Sequence, residues 1–242
     1  MPALLYGMEA WKKLSKAEIQ NVEKIQGKAL KRIFSLPITS PYIGLIIETG
    51  VWPAEQRINY SSLMLYHNII SSSKNRLVKQ IILEQRAQNH SNTFYDKVRT
   101  IAEELNIKLE KAVIMKKSHW KRTVKDKIQN QIQERVEKEM ENKTKLRTVR
   151  EDKWERKEYI TTCDSDLVKD IIKIRLHMWE LKKNYPREEE DTKCPICNQK
   201  EDTTEHVLEC QTAETVYKIK DNTPNQWAEI VKLYRQNKEQ RK

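Results

Sequence analysis

The sequence predicts an all-α protein, an extended helical assembly with a small Cys3His zinc knuckle near the C-terminus. Three observations carry that prediction. Apolar residues recur at three- and four-residue spacing along most of the chain, with no clear strand and no internal repeat. Four glycines and seven prolines punctuate 242 residues, few for a protein built from turns and hairpins. Three of the four cysteines fall in one short window with a histidine, the pattern of metal ligation and not of a disulfide framework.

Residues 15–34 read as a helix. Ser15 and Glu18 make a capping-box pair, Ile19, Val22, Ala29 and Ile33 form a stripe, and Pro37 closes the element. Ser40 followed by Pro41 predicts an N-cap with proline at the first helical position, for a short helix ending near Gly50. Pro53 opens a longer one that runs to the serines at 71–73, with Ile58, Leu65 and Ile69 inward. Residues 75–87 and 93–105 continue the helical theme.

From about residue 111 the composition changes. Trp120, Val124, Ile128, Ile132, Val136 and Met140 recur every four residues, one face of a long amphipathic helix. That stripe reads as packing, and the opposite face is basic. Residues 111–158 hold 16 Lys/Arg and nine Asp/Glu, most of the chain's net charge of +11. Residues 144–163 read as a linker or loose hairpin. A helix with Ser165 as its cap spans about 165–182, bearing Val168, Ile171, Ile172, Arg175, Met178 and Trp179. The run 187–191 is a charged linker. Thr223 and Pro224 open a last helix with Trp227, Ile230, Val231 and Tyr234. The expected organisation is a helical region at 1–110, a long basic helix and linker at 111–163, and a C-terminal helical region at 164–242 with the knuckle at 194–210.

The predicted metal ligands are Cys194, Cys197, His206 and Cys210. Two thiolates two residues apart approach one ion from a tight knuckle, and a His and Cys four apart share a helix face. Asp202 and Glu205 supply a capping pair before that helix. Four protein ligands close the coordination sphere, as in structural Zn2+ and unlike catalytic zinc. Residues 187–209 hold eight acidic and three basic residues. The knuckle is therefore expected to staple the 165–182 helix to the tail, not to clamp phosphate. Removal of the metal is expected to unfold mainly the residues beyond about 165. His67, His90, His119 and His177 lack partners at ligand spacing and read as surface or boundary residues. Cys163 reads as a lone thiol.

Hydrophobic residues make up 38% and charged residues 33% of the chain, and mean hydropathy is −0.83. This favours long polar-faced helices around modest cores. The excess of Lys and Arg points to a polyanion, because cations that displace condensed counterions gain binding entropy. Candidate nucleic-acid contacts are Lys116, Lys117, Trp120, Lys121, Arg122, Lys125 and Lys127, together with Lys143, Lys145, Arg147 and Arg150. Trp120 lies where it would stack on a base or pack inward. A second reading makes the chain a zinc-stapled helical interaction module, its Trp120-to-Met140 stripe set against a partner helix. No Gly-rich phosphate loop, nucleophile elbow or HExxH motif supports an enzyme or a small-molecule substrate. The N-terminus lacks the features of a signal peptide, and no apolar run approaches a membrane span. Clustered thiols suit a reducing, intracellular setting, nucleus or cytoplasm.

Several stretches resemble the polyproteins of non-LTR (LINE-type) retrotransposons. Leu4, Leu5, Tyr6, Gly7, Glu9 and Trp11 resemble the segment after the polymerase palm. Residues 25–33 with Leu36 and Pro37, then Ser40, Pro41 and Glu48 to Pro53, resemble the thumb and its continuation. The knuckle from Cys194 to Cys210 resembles the C-terminal zinc knuckle of such proteins, although the gap between its last two ligands is only three residues. The resemblance implies a thumb remnant plus C-terminal region of a reverse transcriptase, holding template RNA or target DNA with structural zinc. The family's Mg2+-binding aromatic-x-Asp-Asp motif is missing from this sequence, so the resemblance implies no polymerisation or cleavage by this chain alone.

Overall fold

The computed structural model describes residues 5–72, 76–88, 91–141, 143, 146, 149, 152–178, 192–194, 197–203, 206 and 224–239. Among these the secondary structure is helical, and the one β-type pairing is an isolated antiparallel bridge between Lys193 and Glu201. The chain divides into two compact units that interleave along the sequence: residues 1–27 with 52–137, and residues 28–51 with 138–242. Neither unit is a single continuous stretch, unlike the linear regions 1–110, 111–163 and 164–242.

Helix α1, Lys16–Ile33, begins with the capping box that its sequence predicts. Ser15 N donates to Glu18 Oε2 at 2.7 Å, and Glu18 N donates back to Ser15 Oγ at 3.3 Å. Its buried positions are Val22, Gln26, Gly27 and Leu30, while Ala29 is exposed and Ile33 is 60% exposed. The stripe thus runs along the Val22–Gln26–Leu30 row. A polar Gln26 is tolerated there because its side-chain amide donates to Trp52 O at 2.9 Å.

The first unit packs around α3, Ala54–Ser71. Ile58, Leu63, Tyr66, Ile69 and Ile70 are buried on it, and Leu65 is half-buried. Against α3 lie α5, Phe94–Glu104, and the single turn α6, Lys111–Ile114; α4, Arg76–Gln88, packs on α5. Thr93 caps α5 through its hydroxyl, which accepts from Asp96 N at 3.2 Å. Helix α7, Lys117–Glu141, carries the four-residue row. Trp120, Val124, Ile128 and Ile132 are fully buried, and Val136 and Met140 nearly so. Arg135 reaches back to Glu23 with two parallel bonds of 2.8 Å, a bidentate geometry that fixes α7 against α1 within this unit.

The second unit is organised by α2, Tyr42–Thr49, a helix buried from Ile43 to Thr49. Pro41 is its N-cap and Ser40 makes no side-chain cap bond, so proline sits one position earlier than expected. Gly50 ends it in the left-handed region, φ 60°, where a side chain would collide with the Arg156 backbone nitrogen at 2.3 Å. Helix α8 is the turn Tyr159–Thr162, and α9 is Ser165–Arg175. Asp164, not Ser165, caps α9: its carboxylate accepts from Asp166 N and Leu167 N. The carboxylate also favours the positive end of the helix dipole. α9 ends at Leu176, and His177 turns the chain away with φ 53°. Helix α10, Pro224–Glu239, packs on α9 through the segment that holds Trp227, Ile230 and Val231, all buried. Trp179, the run 187–191, Thr223 and the Tyr234 side chain lie outside the described residues.

The segment 144–163 is not a solvated linker where it is described. Leu146 and Val149 are fully buried, and Tyr159 is 3% exposed. Nearby stands a buried charge cluster. Arg175 Nε donates to Glu48 Oε1 at 2.8 Å, and its Nη2 bonds Asp152. Tyr159 donates its hydroxyl to the second Glu48 oxygen at 2.5 Å. Burial, then the adjacent Glu48 carboxylate, push the Tyr159 phenol far above its ordinary value, so it stays a neutral donor. The Arg175 guanidinium also lies 5.3 Å from the centre of the Trp227 ring. Replacing Arg175 with Met leaves Glu48 buried without its counter-charge. The expected loss is about 3–5 kcal/mol, read as a lowered urea midpoint for the second unit, whereas a loss below about 1 kcal/mol would show that the pair is dispensable.

Candidate functional site

The described residues among 192–206 bring Cys194, Cys197 and His206 together. Asp202 N donates to Thr192 O at 2.8 Å and Cys194 N to Lys200 O at 2.7 Å, which closes a short hairpin around the Lys193–Glu201 bridge. Asn198 N donates to Cys194 O at 2.9 Å, and Asn198 itself takes φ 57°, a left-handed conformation that asparagine accepts more readily than most residues. This tight turn brings Cys197 back over Cys194. Gln199 N donates to Cys197 Sγ at 3.5 Å.

Next in the chain, Thr203 Oγ1 accepts from His206 N at 3.1 Å. Glu205, half of the expected Asp202–Glu205 capping pair, lies outside the described residues. His206 Nε2 stands 3.1 Å from Cys197 Sγ. The ligand atoms of Cys194, Cys197 and His206 all lie within 4.8 Å of one another. Cys194 is fully buried and His206 is 9% exposed. These three side chains are close enough to hold a single metal ion. Cys210, Val207 and Leu208 lie outside the described residues.

Protein family models, characterised proteins and solved structures offer no match to this chain. The chemistry therefore rests on the side chains themselves.

Lys116, Lys117, Lys121, Arg122, Lys125 and Lys127 are all exposed at the start of α7. Trp120, grouped with them as a base-stacking candidate, is fully buried and donates its indole N–H to Leu63 O at 3.2 Å. Both the ring and its polar atom are spent in the first unit, so no base can stack on it. Lys143 is half-buried and pairs with Glu139 at 3.4 Å. Lys145, Arg147 and Arg150 lie outside the described residues. The Trp120-to-Met140 stripe is covered within the chain, which removes it as a docking face for a partner helix.

Among the histidines, His119 is exposed and His177 half-buried, and His90 lies outside the described residues. His67 is a core residue, 2% exposed. Its ring stacks on Trp120 at 5.7 Å, and its Nε2 lies 3.1 Å from Met115 O. A carbonyl only accepts, so Nε2 carries the proton in that bond. The spacing of His67 on α3, three to four residues from Leu63 and Ile70, carried the signal of a core position. Cys163 is half-buried and unbridged.

Helix α10 packs directly on α9, and Arg235 bonds Asp170 across the pair. This contact holds together the two helices that flank the Cys/His cluster in sequence. Chelation is therefore expected to raise amide exchange in residues 192–206 while 165–175 and 224–239 stay protected, because Ile171, Ile172 and Ile174 are fully buried. Exchange measured by mass spectrometry decides it: loss of protection across α9 would show that the metal supports the whole C-terminal region.

Proposed function

We propose that this chain is a nucleic-acid-binding accessory region, stapled by structural zinc, of a reverse transcriptase of the non-LTR retrotransposon type. The observation that carries the binding role is the charge on α7. Residues 116–127 hold six basic residues and one acidic residue, whereas 128–141 hold two basic and four acidic. The first turn of α7 has no acidic residue. Helix stability alone favours the reverse arrangement, since the N-terminal end of a helix dipole is positive and repels cations. Lys117, Lys121 and Lys125 stand four apart, about 6 Å of helix rise from one to the next. Such a row can track consecutive phosphates. Because Trp120 is spent in the core, binding is through the backbone and insensitive to sequence.

The zinc assignment rests on donor chemistry. Two thiolates and an imidazole suit Zn2+, whose bonds of roughly 2.3 Å to sulfur and 2.0–2.1 Å to nitrogen put neighbouring tetrahedral ligands about 3.5–3.8 Å apart. The ligand atoms all lie within 4.8 Å of one another, with Cys197 Sγ and His206 Nε2 at 3.1 Å, close enough for small adjustments to reach that spacing. Cys210, four residues after His206, is the fourth ligand in this reading. With all four positions held by protein, the ion orders the knuckle and catalyses nothing. The resemblance of both chain ends to the retrotransposon proteins supplies the context, with polymerisation left to other parts of such a polyprotein.

Fluorescence anisotropy with structured RNA and duplex DNA at two salt concentrations tests the binding role. Affinity should fall steeply as salt rises, and K121E/R122E/K125E should weaken binding at least about tenfold at unchanged helicity, since three contacts are reversed. An unaltered affinity in the triple variant removes this surface from the reading. No binding even at low salt ends the reading itself.

A further inference from the structure

In the first unit, residues 5–11 form a run of turns pinned to α3 and α5. Met8 N donates to Leu5 O at 3.2 Å and Ala10 N to Gly7 O at 3.1 Å, with Gly7 at φ 78°, a conformation that glycine adopts without strain. Ser62 Oγ donates to Glu9 O at 3.1 Å, and the buried Lys97 Nζ donates to Met8 O at 2.9 Å. Leu5 is buried, whereas its neighbour Tyr6 is 88% exposed. Tyr6 lines a cleft of about 190 Å3 with Leu5, Glu9, Arg57, Ile58 and Ser61. One water needs roughly 10–15 Å3, so the cleft has room for a flat ring system of about ten heavy atoms. Leu5 and Ile58 supply its apolar part. Among the described residues, the Tyr6 hydroxyl, the Arg57 guanidinium and the Ser61 hydroxyl have no hydrogen-bond or ion-pair partner. An exposed aromatic ring, an apolar lining and three unused polar groups therefore meet in one cleft.

We infer that this cleft takes one unpaired nucleobase of a single-stranded RNA or DNA, stacked on the Tyr6 ring. The ring nitrogens and carbonyls of the base accept from Arg57 and Ser61, and its flat face covers the phenol. Glu9, which also lines the cleft, repels phosphate, so the base enters and the backbone stays outside. The inference rests on the nucleic-acid reading and adds a base contact that Trp120 is too buried to make. Two bonds place the cleft beside the basic end of α7. Ser62 holds the Glu9 carbonyl, and the next residue, Leu63, holds the Trp120 indole. Consecutive residues of α3 thus anchor the turn that bears Tyr6 and the helix that bears Lys117, Lys121 and Lys125. One strand can lay its phosphates along those lysines and turn a base into the cleft. Every base has a π-face, so the site selects single strands over duplexes without selecting a sequence.

The test compares, by anisotropy on the whole chain, an unstructured single strand of about ten nucleotides with a duplex of the same sequence. Tyr6→Ala should weaken single-strand binding at least about fivefold, the loss expected of one stacked base, and leave duplex binding unchanged. Tyr6→Phe keeps the ring and should stay within about twofold of the parent chain. Because Tyr6 is so exposed, neither change should alter helicity. A strand carrying iodouracil should photocrosslink to the peptide that contains Tyr6. Unchanged single-strand affinity in Tyr6→Ala overturns the inference, as does an equal loss for the duplex or in Tyr6→Phe. If the parent chain still binds duplex in any of these cases, only the cleft is lost. Binding to neither form ends the nucleic-acid reading and this inference with it.

Discussion

Six side chains on one helix face govern much of this molecule. In a chain with a third of its residues charged, apolar surface is scarce and has to be concentrated. The row from Trp120 to Met140 does that, with no member more than 2% exposed. Its burial fixes the rotation of α7, and the rotation decides everything else on that helix. Lys117, Lys121, Arg122 and Lys125 face water because the row faces in. Arg135 meets Glu23, and Trp120 is consumed in holding Leu63 and His67. The exposure of these basic side chains and the loss of an aromatic from among them share one cause.

The second unit depends on a different constraint. Arg175 is buried, and a buried guanidinium has to be neutralised where it stands. Glu48 and Asp152 do so, with Tyr159 closing the remaining Glu48 oxygen. These residues come from α2, from the segment after α7, from α8 and from α9. Their convergence gives segments far apart in sequence one shared arrangement. Hydrophobic contacts around them, such as Gly44 against Leu146 and Leu176, allow the close approach but specify it less strictly.

Local signals were legible in the sequence and distant ones were not. The Ser15–Glu18 box, the Gly50 stop and the α7 row each lie within one element, where spacing determines geometry. Caps shifted by one residue where two candidates adjoined: Pro41 in place of Ser40's expected role, and Asp164 in place of Ser165. Leu146 and Val149 were hidden by the Lys, Arg and Thr residues around them in sequence, which make two buried positions read as part of a linker. Nothing local marks Glu48 as the partner of Arg175, 127 residues away. At the Cys/His cluster, residue types and spacing identified three side chains that do converge, while the bond from His206 N to Thr203 Oγ1 depends on backbone geometry that spacing does not encode.

The direct packing of α10 on α9 has a consequence for any ion that Cys194, Cys197 and His206 hold. The stretch from 177 to 223 is flanked in sequence by helices that are already held together. Its closure entropy is met by the helix pair and not by the metal. Ligands confined in this way face one another at a high effective concentration. The same knuckle cut out as a free peptide would have to order itself from an open chain, and would hold its ion less tightly.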